Sequence, residues 1–171
     1  MKYNRTLIII FFFVLAFRLF FIFQTQHYSD DYAYFTLRNI ENIRDTGKPL
    51  YDDELSYGGR KALFSPIFYY TLYGFSSIFG ENALKVIPAL LISLLVILSY
   101  IISINITKDY RASLLSSLMV GFIPILFPNT LNNISVYSLT LFIIFFMIFC
   151  LIKITEKRYM NLFVLLSILL P

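Results

Sequence analysis

The chain is short of charge, of cysteine and of histidine, and each shortage closes a class of function. Of its 171 residues, 14% are charged and 58% hydrophobic, whereas soluble domains carry roughly a quarter charged residues. With a mean hydropathy of +0.75, an integral membrane protein is expected. The single cysteine, Cys150, lies inside an apolar run, which excludes a disulfide framework and gives no redox inference. The single histidine, His27, cannot form a histidine metal cluster by itself and reads as an interfacial loop residue. The formal charge of +4 needs no nucleic-acid partner. Half of the Lys and Arg residues sit at the amino terminus or in short connections beside apolar runs, where they fix orientation. No internal repeat and no low-complexity tract is evident.

What is present is a series of apolar runs, at about 6–24, 84–106, 111–128, 135–152 and 159–171. They predict an all-α integral membrane protein: a polytopic helical bundle with four full spans, a partial fifth, and a large first outer loop over 26–83. The fifth run holds about thirteen residues where roughly twenty are needed. The chain therefore reads as the amino-terminal portion of something longer, and activity from these residues alone is not expected. The first run is flanked by Lys2 and Arg5 but is long for a signal core, and no small-x-small cleavage site follows, so it reads as a retained span. Arg18 lies within two turns of its outer end, from where a long side chain is expected to snorkel to the interface; meeting a lipid phosphate is the other reading.

Charge sets the expected orientation. Lys2, Arg5, Lys108, Arg111, Lys153, Lys157 and Arg158 fall on one side against Asp109 and Glu156, while the 26–83 loop holds eight acidic and five basic residues. The amino terminus is therefore expected in the cytoplasm and the loop outside the cell membrane. Within the loop, Asp31 to Asp45 fits an amphipathic helix. Tyr32, Ala33, Thr36, Leu37, Ile40 and Ile43 share one side, and Arg38, Glu41, Asn42 and Asp45 the other. Gly47 and Pro49 stop it. Pro66 to Phe79 is apolar and aromatic but too short to cross, so it is placed in the interface or re-entering it. Pro124 and Pro128 announce a kink or an early end to the third span.

The chemistry concentrates where the first span gives way to water, at Tyr28-Ser29-Asp30-Asp31-Tyr32-Ala33-Tyr34. Asp30 admits two readings: an N-cap for the helix that starts here, or a ligand for a divalent cation that meets a phosphate-linked substrate. Arg38, two turns beyond Asp31, could orient a carboxylate or a phosphate. Gly58-Gly59-Arg60-Lys61 could bring backbone N–H groups and the Arg60 guanidinium to a phosphate, or form a solvated surface turn. Asp52, Asp53 and Glu54 read first as a solvated charge run.

These residues resemble a family. One span, a long outer loop opening with an Asp pair and aromatics, an interfacial helix and then spans joined by short turns is similar to the GT-C membrane glycosyltransferases. The resemblance is greatest to the catalytic subunit of archaeal and bacterial oligosaccharyltransferases, in their amino-terminal part. The strings that carry it are Ser29-Asp30-Asp31-Tyr32-Ala33-Tyr34 and Asp53-Glu54-Leu55-Ser56-Tyr57-Gly58-Gly59. The resemblance implies protein glycosylation or simpler sugar transfer, with a sugar or oligosaccharide moved from a polyprenyl-phosphate or -diphosphate donor to an acceptor at the outer face. It implies Asp30 as the ligand of a catalytic Mn²⁺ or Mg²⁺ that also helps activate the acceptor, with Asp31 the second candidate. Tyr32, Arg38 and Arg60 are the expected substrate-binding residues. The implied partners are the lipid-linked donor, membrane lipid, an acceptor of unknown type and a possible complementing subunit.

The sequence departs from the family in the turn between the third and fourth spans, where a second acidic motif is expected. Here Asn129 to Tyr137 contains neither Asp nor Glu. Amides can ligate hard cations but bring no charge. The alternative is a non-catalytic polytopic membrane protein: a truncated or degenerate transferase subunit, a scaffold or a transporter fragment. Transporters place ionisable groups near mid-membrane, whereas the spans after this loop are nearly free of charge.

Overall fold

The computed structural model describes residues 2–53, 55, 59–61 and 65–169. With 77% of the chain helical, the fold is all-α. Helix α1 (Lys2–Ile22) is an unbroken run without glycine or proline. Helix α2 (Asp31–Thr46) starts at the Asp30 cap and stops at Gly47, whose φ of 76° is the left-handed conformation that ends helices and whose N–H reaches back to the Ile43 carbonyl. A two-residue hairpin follows, Asp52–Asp53 (β1) against Arg60–Lys61 (β2), antiparallel, with Asp53 opposite Arg60. Gly59, at φ 72°, serves its turn. The strand pair is absent from the sequence reading, which expected the turn alone.

Helix α3 (Ile67–Phe79) is 13 residues long, too short to cross a bilayer. Then come α4 (Ala83–Thr107), α5 (Tyr110–Gly121), a 3₁₀ turn (Pro124–Leu126), α6 (Phe127–Thr130), α7 (Val136–Ile152) and α8 (Lys157–Leu169). The expected span over 111–128 is thus not one helix. It breaks after Gly121, because Pro124 and Pro128 lack the N–H that would continue the ladder. Two helices, α1 (through Arg5–Ile22) and α4, are long and apolar enough to cross a membrane. At 1.5 Å per residue α5 reaches about 18 Å and α7 about 25 Å, short of the roughly 30 Å hydrocarbon core.

Helix α4 is the centre: α1, α5 and α7 pack against it, α3 touches its first turns, and α2 lies on α3. The amphipathic reading of α2 holds: Ala33, Thr36, Ile40 and Ile43 are buried, in a core with Phe68, Tyr69 and Leu72 of α3, Leu84 of α4 and Ile134. A second core forms around Ile92, Leu95 and Leu98 of α4, against Leu141, Phe142, Phe145 and Phe146 of α7. Helix α1 keeps most of its aromatics outward, with Phe12 59% and Phe20 64% exposed. Such a row is costly in water and natural in lipid.

Arg18 departs from expectation. It does not snorkel but is fully buried, turned inward onto the break after α5. Its Nη1 donates to Thr130 Oγ1 at 2.8 Å and its Nη2 to the Gly121 carbonyl at 3.2 Å. These acceptors stand at the C-terminal end of α5 and the end of α6, where unsatisfied helix carbonyls favour a cation. That local field outweighs the pull of the interface.

Candidate functional site

The site is built where the end of α1 and the start of α2 meet the 131–135 turn. Asp30 has extended backbone (φ −136°, ψ 142°) and caps α2, its side chain accepting from the Tyr32 N–H at 3.3 Å. The capping reading of Asp30 is therefore borne out. Its second carboxylate oxygen accepts from Asn133 Nδ2, also at 3.3 Å. The two residues are 103 positions apart in sequence. Asp30 lies across from the very turn in which the sequence shows no acid.

That turn is docked by several bonds. The Ser29 N–H donates to the Asn132 carbonyl at 3.0 Å, and the Ser29 hydroxyl donates to the same oxygen at 3.2 Å. The Asn132 amide donates to Thr25 Oγ1 and to the His27 carbonyl. Asn132 has φ 55°, a conformation that asparagine tolerates better than most residues. Thr36 Oγ1 is within 3.5 Å of the Ile134 carbonyl. Asn133 is 3% exposed, and its Oδ1 is buried without a hydrogen-bond partner among the described residues.

The other sequence candidates are dispersed. Asp31 is exposed in the first turn of α2; no bond joins it to the Asn132–Asn133 turn among the described residues. Tyr32 is partly exposed and shares a 3.1 Å hydroxyl contact with Tyr69. Burial, then the Tyr32 hydrogen bond, holds the Tyr69 phenol far above its ordinary range, and burial with nearby Glu81 pushes Tyr28 up to about 12. Both phenols stay protonated at neutral pH. Lys85 Nζ donates to the Thr25 and Gln26 carbonyls at 3.1 and 2.6 Å and sits 4.9 Å from the Tyr28 ring, tying α4 to the loop below Asp30.

Arg38 orients a carboxylate, as one reading of its spacing allowed, and that carboxylate is Asp53. Nη1 and Nη2 meet Oδ1 and Oδ2 at 3.1 Å each, the bidentate fork that guanidinium geometry favours. Asp53 is 3% exposed and so leaves the solvated charge run expected of it. Its Oδ1 also accepts the Leu55 N–H at 3.2 Å, an arrangement no local pattern announces. Arg60 is paired through its backbone with Asp53. Gly58, Glu54 and the Arg60 side chain lie outside the described residues, so the proposed phosphate turn over Gly58-Gly59-Arg60-Lys61 is described only at Gly59 and along the β2 backbone. The Arg38–Asp53 pair locks the hairpin onto α2. Arg38→Ala is expected to cost about 2 kcal/mol, below the 3–5 kcal/mol typical of breaking a buried pair because Arg38 stays a third exposed. Thermal unfolding in detergent reads the loss, and Arg38→Ala with Asp53→Asn together should lose less than the two single effects added.

The donor set for a cation is narrow. Among the described residues no group of three His, Cys, Asp or Glu side chains converges. Asp30 supplies a carboxylate and Asn133 a buried amide oxygen with no partner. A hard cation of the Mg²⁺ type keeps several waters and takes oxygens from a substrate phosphate; Asp30 is the charged ligand of this pair, and Asn133 turns its Nδ2 rather than its Oδ1 toward it. Compared with family models, curated proteins and solved structures, the chain matches none of them.

Proposed function

We propose that this chain belongs to a multi-pass membrane glycosyltransferase that takes a sugar or oligosaccharide from a polyprenyl phosphate or diphosphate. The observation that carries the reading is the pairing of Asp30 with Asn133 at the mouth of the helix bundle. It sets the Asp30 carboxylate against the buried Asn133 amide, near the exposed aromatics Tyr32, Tyr34 and Tyr137. The amino terminus is cytoplasmic and the Asp30 surface faces outward, following the charge of the connections.

In this reading Asp30 would hold a Mg²⁺ or Mn²⁺ ion, and Asn133 would join it with its amide turned so that Oδ1 faces the carboxylate. When bound, the ion supplies neutralisation of the phosphate that leaves. Asp30 also accepts the acceptor's proton as the acceptor atom bonds to the sugar C1 and the bond from C1 to the phosphate oxygen breaks. Tyr32, its hydroxyl held at Tyr69, presents its ring and hydroxyl to the sugar. Asp31, exposed beside Asp30, adds negative charge there. The membrane-facing aromatics of α1 lie alongside the polyprenyl chain.

A polyprenyl-phosphate analogue with a photoreactive group next to the phosphate tests this in vesicles of the full-length protein. Labelling is expected in peptides covering 24–44 and 127–140, competed by unlabelled polyprenyl phosphate. Absence of competed labelling there contradicts the reading and favours a non-catalytic membrane protein. In sealed right-side-out vesicles, added protease should cut within 50–62 and spare 153–158. The reverse pattern inverts the orientation.

A further inference from the structure

We infer that Arg18 is a positioning residue for the Asp30 surface: it holds the broken segment after α5 at the level that lets Asn132 and Asn133 reach Ser29 and Asp30. The meaning given to Asp30 rests on the transferase reading; the strut itself is a matter of geometry.

The chain from α1 to the start of α2 touches the segment between α5 and α7 at two levels. At the lower level the Arg18 guanidinium bridges the Gly121 carbonyl and Thr130 Oγ1, and it lies 5.1 Å from the Phe127 ring centroid. These three contacts fall on the end of α5 and on both ends of α6, so one side chain spans the whole break. At the upper level Ser29 and Asp30 take hydrogen bonds with Asn132 and Asn133. Thr130, fully buried, stands two residues before Asn132. A shift at Thr130 is carried directly to the amides that face Asp30.

The chemistry of Arg18 suits a strut better than packing. A charge at this depth is expensive in an apolar bundle, and an aliphatic side chain would fill the space without that cost. Its Nε is buried with no hydrogen-bond partner among the described residues, and the partners described above are a carbonyl, a hydroxyl and a ring. Helix carbonyls at the end of α5 and the face of Phe127 offset the charge. Two acceptors on separate elements need a planar fork with two arms. Arginine has one and lysine does not.

Hydrogen exchange on the full-length protein reads the strut without any sugar transfer. The Ser29 amide, bonded to the Asn132 carbonyl, reports the docking of the turn, and the α4 amides from Ile92 to Leu98 report the bundle. In Arg18→Met, exchange at Ser29 is expected to accelerate at least tenfold while the α4 amides keep their wild-type rates. Arg18→Lys, able to reach one acceptor, should fall between. Unchanged exchange at Ser29 overturns the strut. Equal acceleration in α4 also overturns it, because Arg18 would then support the bundle as a whole. Neither result touches the transferase reading, and a chain inactive in transfer leaves this measurement standing.

Discussion

Replacing Asp30 with asparagine is expected to lower sugar transfer by about a hundredfold or more, since even residues that merely support a metal ligand cost 10–100-fold when changed. The substitution separates the two roles of Asp30. Asparagine caps helices about as well as aspartate, so α2 keeps its start and the bond to the Tyr32 N–H. What is lost is the negative charge that would hold a cation and receive a proton, together with the bond from Asn133 Nδ2, because the new amide nitrogen is itself a donor. Helicity should therefore stay at its wild-type value and thermal unfolding should shift by no more than the roughly 1 kcal/mol of one hydrogen bond, while transfer collapses. Asp31→Asn is the comparison: exposed and unbonded to the 131–135 turn among the described residues, it should cost less than about tenfold, outside the range seen for general acid–base groups. Equal losses in the two variants would mean that the pair acts as a unit, and a larger loss at Asp31 would move the site by one residue.

The second large effect is expected at Gly121. A Cβ built there would lie 2.6 Å from Val14 Cγ2 and 3.2 Å from Val96 Cγ2. Val14 and Val96 are fully buried, and β-branched side chains are stiff at χ1. At Gly121, α5 meets Val14 of α1 and Val96 of α4, and its carbonyl also accepts from Arg18. Gly121→Ala should destabilise the protein by about 1–3 kcal/mol through overpacking. That outweighs the up to roughly 1 kcal/mol that alanine gains over glycine inside a helix, a gain already reduced at a terminal position. Val14→Ala alone should also destabilise, by leaving a cavity. Combined, the two should lose less than their sum by about 1 kcal/mol or more, as residues in direct contact do. Thermal unfolding of the four proteins in one detergent measures this. Strict additivity would mean that Val14 does not meet the new methyl group.

What the sequence told, it told through local chemistry. The start of α2 at Asp30 and its stop at Gly47 each depend on side-chain or φ preferences within a few residues. The buried face of α2 follows from its 3.6-residue period. The break in the third apolar run follows from Pro124 and Pro128. Contacts between distant parts of the chain were not legible in the same way. Asn133 meets Asp30, and Arg18 meets Thr130, across more than a hundred residues; neither has a periodic signature. Arg18 in particular looks from its position like a side chain bound for the interface. It turns inward because the carbonyl end of α5 lies beside it, which no reading of α1 alone contains. Asp53 shows the same limit: three adjacent acids read as solvated until the fork of Arg38 buries the middle one.

Lipid-linked sugar transfer at the Asp30 surface is reached directly by one measurement. Full-length protein in proteoliposomes is given a radiolabelled sugar on polyprenyl phosphate or diphosphate, with Mg²⁺ or Mn²⁺ and with chelator in parallel. Release of label from the lipid carrier to a water-soluble or protein-bound product, faster with the cation than with chelator, is the predicted result. A correctly folded protein that leaves the donor intact under all of these conditions would contradict it.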